Sequence, residues 1–314
     1  MFDEGLKSWL SLLGETNNTF NGIPHIQNIE NHVNHAVPDI IKENFSSTEI
    51  FLLLSSILLH DIGKIEVKKK GVNSDFHSTY SCNKVINEWA FLKIPNEQLA
   101  RWIAIIVCSH TWDSPIPGKI KEKNNCPLRK SDCALVCEKN KLSELNFYHE
   151  SSDGRVRLDW LAAILRLGDE VDNIKLRTIP NWLINSKNEE SWRKYINSIN
   201  FDNIGRCIKL RTIDFNSKEW KKEIKFKNKK TTYRELAFSG INSIEKVLTG
   251  WNRPLIEMGL IYEKAFIESA KPSPVLYNTK EESNLLFEPA LNEQLLQQII
   301  DSMIRLENTR KLYH

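Results

Sequence analysis

Apolar residues recur at helical spacing through the first 175 or so positions and at alternate positions further on. After Pro24, the residues Ile26, Ile29, Val33 and Val37 line one helical face until Pro38 stops the run. Ser46 and Glu49 form a capping-box pattern ahead of Ile50-Phe51-Leu52-Leu53-Leu54, and Gly63 is expected to end that helix just past His60-Asp61. A third helix is predicted over Glu97 to His110, closed by Pro115 and Pro117. A fourth runs from about Val156 to Val171, where Leu158, Ala162, Leu165 and Asp169 share a face.

Beyond Asp172 the period changes. Ile208 and Leu210 alternate with Lys209 and Arg211, and Ile224 and Phe226 with Lys225 and Lys227, which predicts strands with one wet face. Leu236 to Ala270 reads as helical in parts, broken by Gly240, Gly250 and Pro254. An amphipathic helix closes the chain from about Asn292 to Leu312, with Leu295, Leu296, Ile299, Ile300, Met303 and Ile304 on its apolar face. A Lys-, Asn-, Ser- and Cys-rich stretch, about 118–153, reads as an insertion. The expected fold is mostly α: a helical core over 1–175 with that insertion, then a smaller α+β carboxyl-terminal region over 176–314.

Composition adds little to this picture and removes several alternatives. The 314 residues, 41% hydrophobic, suffice for one large domain or two smaller ones. Lys and Arg number 43 against 40 acids, a net charge of +3. That is too weak to imply nucleic acid, and it does not argue against a phosphorylated substrate. Six dispersed cysteines are no disulfide framework and point to a reducing compartment. Cys126, Cys133 and Cys137, with His149, invite a structural zinc as an alternative, but they lack zinc-knuckle spacing, so free thiols are the first expectation there. The amino terminus has no basic region ahead of an apolar stretch. The run Ile50–Leu59 is short and interrupted by Ser55 and Ser56. A cytoplasmic protein without a membrane span is expected. The Lys-rich stretch 218–230 reads first as a solvated strand and turn. Its sharper reading is a phosphate-backbone surface made by Lys221, Lys222, Lys225 and Lys227.

The chemistry concentrates elsewhere. His60-Asp61 lies at the carboxyl end of a strongly apolar helix, in Leu58-Leu59-His60-Asp61-Ile62-Gly63-Lys64, where packing can hold both side chains rigidly. An imidazole nitrogen beside a hard carboxylate oxygen suits Mn, Fe, Zn or Mg better than a thiolate-loving metal. His25 precedes the pair; His77, His110 and Asp169 follow it on other stretches. His32 shares a helical face with His25, so spacing alone does not choose between them. Asp169 would be a lone acid on a core-facing stripe, which calls for a partner.

The order His, His-Asp, His, His, Asp resembles the HD-domain metal-dependent phosphohydrolase superfamily over roughly residues 20–175. Leu59–Lys64 and Arg166-Leu167-Gly168-Asp169-Glu170-Val171-Asp172 carry most of the likeness. Ile26 and Ile29 after His25 favour His25 over His32. The resemblance implies that His25, His60, Asp61 and Asp169 hold a first divalent cation. In six-ligand members a second is held by the counterparts of His77 and His110, with Asp61 bridging through its two oxygens. The cations would be two drawn from Mn, Mg, Fe, Ni or Zn. Lys64 matches a lysine that contacts phosphate in cyclic-dinucleotide phosphodiesterases, and Arg166 is a second candidate to offset phosphate charge.

The expected activity is hydrolysis of a phosphoester in a nucleotide or nucleic acid, of phosphodiesterase or nuclease type. A nucleoside triphosphate phosphohydrolase using only the four core ligands is the alternative within the enzymes. A weakly active nucleotide-binding regulatory module is the alternative outside them. The succession after the Asp169 helix faintly resembles HD domains attached to chaperone-like ATPases of prokaryotic conflict systems. From that come two further expectations, a partner ATPase and a role in antiviral defence.

Overall fold

In the computed structural model, helix α1 (Ile23–Ala36) begins next to Pro24 and stops short of Pro38, as the apolar spacing predicts. A single turn, α2 (Asp39–Lys42), follows. Helix α3 (Ser47–Leu59) opens on the expected capping box: Ser46 Oγ accepts from the Glu49 amide, and Glu49 accepts from the Ser46 amide. Glu49 is fully buried, and its carboxylate also takes the guanidinium and backbone amide of Arg157. An uncompensated buried charge would cost about 3–5 kcal/mol, so this cap doubles as a tie between distant segments. The structure describes residues 23–71, 77–110, 148–172, 196–213, 215–226 and 229–270. All of them lie in one compact unit that extends to Ala270.

Two short helices absent from the sequence expectation come next, α4 (Lys64–Lys70) and α5 (His77–Asn87). Helix α5 reads His-Ser-Thr-Tyr-Ser-Cys-Asn, a poor helix former by intrinsic propensity. Packing decides its conformation: Ser78, Thr79, Ser81, Cys82 and Val85 are buried, and α5 lies against α4 and α6. Small side chains allow that close approach. Helix α6 (Glu97–Cys108) is capped by Asn96 and ends two residues before the predicted His110.

A hairpin of β1 (Tyr148–Ser151) and β2 (Gly154–Arg157) precedes α7 (Leu158–Asp172). Val156, predicted to begin the helix, is a fully buried strand residue instead. The end of the expected insertion is likewise tied to the core, since Asp153 accepts from both the amide and the hydroxyl of Thr48. Residues 118–147 of that stretch, with Cys126, Cys133 and Cys137, lie outside the described residues, as do Pro115 and Pro117.

Helices α1 and α7 pack directly on each other, with α3 and α6 completing the core. Gly168 permits this contact, because a Cβ there would lie 2.9 Å from Val33 and 3.1 Å from Ile29. The domain boundary expected near residue 175 falls outside the described residues.

The later part is α+β, so the fold is mostly α with a smaller mixed region, as expected. Strand β4 (Cys207–Ile213) pairs antiparallel with β3 (Ile196–Asp202) and parallel with the later strand β7 (Lys264–Ala270). Ile208 and Leu210 are fully buried while Arg211 is exposed, the predicted alternation. A second hairpin joins β5 (Glu223–Phe226) and β6 (Lys229–Thr232).

Two expectations fail here. Gly240 does not break the helix; α8 runs uninterrupted over Tyr233–Gly250 from a Thr232–Glu235 capping box. Its buried stripe, Ala237, Ile241, Ile244, Val247 and Leu248, outweighs the cost of about 1 kcal/mol for an interior glycine. Pro254 sits inside the short helix α9 (Asn252–Glu257), and the segment ends in strand β7 rather than helix. Helix α8 packs on both α7 and β7, and the Tyr262 hydroxyl donates to the Ala36 carbonyl at the end of α1 (2.8 Å). No described helix is long and apolar enough to cross a membrane. The predicted helix 292–312 lies outside the described residues.

Candidate metal centre

Helix α3 stops at Leu59, and residues 60–63 form a turn that throws His60 and Asp61 inward, 0% and 6% exposed. Expected only to end the helix, Gly63 does more than that. Its φ is not positive; what it supplies is space. A Cβ at Gly63 would lie 2.3 Å from the Ser81 amide nitrogen and 2.4 Å from the His77 carbonyl oxygen. The Gly63 amide also donates to Ser81 Oγ at 2.8 Å. The bare glycine thus brings the start of α5, and His77 with it, onto the His60-Asp61 turn.

The six residues singled out as ligands converge. His25 Nε2 lies 3.1 Å from His60 Nε2, 3.4 Å from Asp61 Oδ2 and 3.3 Å from Asp169 Oδ1. His60 Nε2 lies 3.4 Å from the same Asp61 Oδ2 and 3.8 Å from Asp169 Oδ1. The other oxygen, Asp61 Oδ1, faces His77 Nε2 at 3.2 Å and His110 Nε2 at 3.8 Å, and those two nitrogens are 2.9 Å apart. Three groups of possible ligand atoms result: His25, His60 and Asp61; Asp61, His77 and His110; and His60, His110 and Asp169, which runs between the other two.

The hydrogen bonds at the back of the rings decide what the front can do. His60 Nδ1–H donates to the Ile57 carbonyl at 2.8 Å and His110 Nδ1–H to the Val107 carbonyl at 2.6 Å. A carbonyl accepts only, so in each neutral ring the proton sits on Nδ1 and the Nε2 lone pair points inward. His25 Nδ1 is held the same way, by Asp172 Oδ2 at 2.6 Å. Lone pairs of His25 and His60 facing each other across 3.1 Å require positive charge between them, a proton or a cation.

Two carboxylates make the same demand. Burial pushes the Asp61 carboxyl up, but the positive charge held between His60 and His25, together with the Lys64 ammonium, outweighs it. These charges hold Asp61 ionised well below the usual carboxylate range. Burial likewise raises Asp169, and the positive charge held between His25 and His60 more than reverses it. Burial, then the charges of His60 and His77, push His110 well below the ordinary histidine range, which keeps its ring neutral and able to ligate.

A divalent cation fits this donor set. Asp61 Oδ1 is buried and takes no hydrogen bond, although two imidazole nitrogens lie beside it. Ligands bound at roughly 2.1 Å and at right angles stand about 3 Å apart, close to the spacings found here.

The remaining sequence candidates are placed as follows. Lys64 sits at the rim, 29% exposed, with Nζ 2.5 Å from Asp61 Oδ2. Arg166 is buried, one turn before Asp169, and its Nη1 donates to the Ser109 carbonyl at 3.4 Å. His32 stays out of the cluster, with Nε2 3.7 Å from Asp172 Oδ1, and His35 is exposed. Lys221 and Lys222 are exposed ahead of β5, the backbone of Lys225 lies in that strand, and Lys227 falls outside the described residues. Asp172, which the sequence reading does not single out, accepts from His25 behind the cluster. The signal was present in its spacing, three residues after Asp169 and so on an adjoining helical face.

No curated protein matches the chain, and no solved structure does. A family model described as HD-CE matches residues 19–231, more than half of the chain and beyond the roughly 20–175 that carry the HD-domain resemblance. That span takes in all six clustered residues, whose side chains could hold metal in the manner of an HD-type metal-dependent hydrolase. This chain belongs to the HD-CE family.

Proposed function

We propose that this chain hydrolyses a phosphoester bond in a nucleotide or nucleic acid with two divalent cations bound at the His/Asp cluster. The observation that carries the reading is the division of Asp61. Its Oδ2 faces His25 and His60, and its Oδ1 faces His77 and His110. His25, His60, Asp61 and Asp169 would hold the first cation, and His77 and His110 the second, with Asp61 shared. The donor set suits Mn, Mg, Fe, Ni or Zn. Such a pair supplies Lewis acidity toward phosphoryl oxygens and a source of hydroxide at neutral pH.

The chain's own groups do the rest. Asp61 and Asp169 offset cation charge, and the pinned Nδ1–H groups keep the rings aimed. Lys64, on a flexible stem at the rim, can turn its ammonium to a non-reacting phosphoryl oxygen. Arg166 adds fixed positive charge on the helix that carries Asp169. A triphosphohydrolase would need only the first four ligands. The nearness of His77 and His110 to Asp61 favours the phosphodiesterase or nuclease reading. For a nucleic-acid substrate, Lys221, Lys222, Lys225 and Lys227 are the proposed backbone contacts.

The test is hydrolysis by the full chain, stripped of metal and then supplied with Mn²⁺ or Mg²⁺. Single-stranded DNA, RNA, cyclic dinucleotides, deoxynucleoside triphosphates and bis-p-nitrophenyl phosphate would be the substrates. Turnover of at least one phosphodiester, dependent on added metal and lost in His77→Ala, is expected. Turnover of triphosphates alone, unaffected by His77→Ala, would favour a single-cation triphosphohydrolase, and no turnover of any substrate would refute the reading. Lys64→Ala should raise KM for the substrate found by about tenfold, the loss of one charge-assisted contact, with metal content unchanged. Loss of metal in that variant would contradict its assignment to phosphate.

A further inference from the structure

We infer that Asp172 is a positioning residue for the first cation site: it fixes the tautomer and ring angle of His25 without itself touching the cation. The inference rests on the metal reading above. Asp172 is fully buried at the last position of α7, one turn past Asp169. Its Oδ2 accepts the His25 Nδ1 proton at 2.6 Å. The opposite ring nitrogen, Nε2, is the one that meets His60, Asp61 and Asp169 at 3.1, 3.4 and 3.3 Å. Asp172 therefore stands behind the imidazole while Asp61 and Asp169 stand in front of it.

His25 differs in this from its neighbours. His60 and His110 are held by backbone carbonyls of their own segments, three residues back, so their orientation follows from the local fold. His25 lies in the first turn of α1, at the third residue of that helix. Its anchor comes from 147 residues away, across the α1–α7 contact that Gly168 permits. The carboxylate gives a full negative charge where the other rings have a carbonyl dipole, which strengthens the nitrogen's hold on a cation. The second carboxylate oxygen faces His32 Nε2 at 3.7 Å, so both imidazoles of this face of α1 are turned toward one acid.

Two measurements on the full chain test this. In metal-free wild-type protein, nitrogen-15 side-chain NMR should find His25 neutral with its proton on Nδ1 or doubly protonated, never as the Nε2–H tautomer. Titration with Mn²⁺ in the His77→Ala background should show a single site about 10- to 100-fold weaker in Asp172→Asn, with the loss approaching that of His25→Ala in Asp172→Leu. Asparagine keeps an acceptor for the Nδ1 proton and the side-chain volume, so the first variant separates lost charge from lost packing. If wild-type protein binds no Mn²⁺, the metal reading falls and this inference with it. Unchanged affinity in Asp172→Asn beside lost affinity in His25→Ala overturns the inference alone. An Nε2–H tautomer at His25 overturns it without any variant.

Discussion

Replacing Asp61 by asparagine is expected to cut metal-dependent hydrolysis by about a hundredfold or more while the protein stays folded. Removing a group that merely supports a ligand already costs about 10- to 100-fold. Asp61 is the residue whose two oxygens face both histidine pairs, at 3.4 Å on one side and 3.2 Å on the other. Asparagine keeps the shape but offers one neutral oxygen and turns an amide nitrogen, a donor, toward the other pair. Cation occupancy should fall in both sites together, read by elemental analysis of protein dialysed against Mn²⁺. Stability without metal should change by only about 1–2 kcal/mol, because neutral imidazoles tolerate a neutral amide and Lys64 can turn to solvent. An Asp61→Asn protein with two cations and unchanged turnover would disprove the shared role.

Substituting Gly63 by alanine should be among the most destabilising changes that add a single methyl group. The new carbon would meet the Ser81 amide nitrogen at 2.3 Å, the His77 carbonyl oxygen at 2.4 Å and the Tyr80 carbonyl carbon at 2.7 Å. All three are backbone atoms, so no rotamer change can make room, and either the turn or α5 must move. Overpacking a well-filled interior costs about 1–3 kcal/mol and more when only backbone can yield. A loss of about 3 kcal/mol is therefore expected, measured by chemical denaturation. The displacement should also carry His77 away from Asp61, so Mn²⁺ binding should drop toward one cation per chain. Wild-type stability in Gly63→Ala would mean that the close approach of α5 to the turn is wrong.

Residue chemistry and spacing alone determined the helices that matter most for the site. Apolar period and capping pairs place α1, α3, α6 and α7 within a residue or two, because those signals act over three or four residues. The six clustered residues were legible too, His60, Asp61 and Asp169 in the stretches at 60–61 and 166–172 and the three other histidines through their order along the chain. Separations of 35 and 33 residues between paired imidazoles have no local signature, however, and only the packed helices bring those rings together. Tertiary structure also decided α5, whose serines and threonines become helical because small side chains let it lie against the His60-Asp61 turn. It decided between His25 and His32 by rotation of one helix face against α7. It gave Gly63 the task of making room rather than bending the chain, and it turned Asp172 from one more acid in a motif into the anchor of His25. A close approach of backbone to backbone, or a hydrogen bond across 147 residues, is a property of the packed core and leaves no period in the chain.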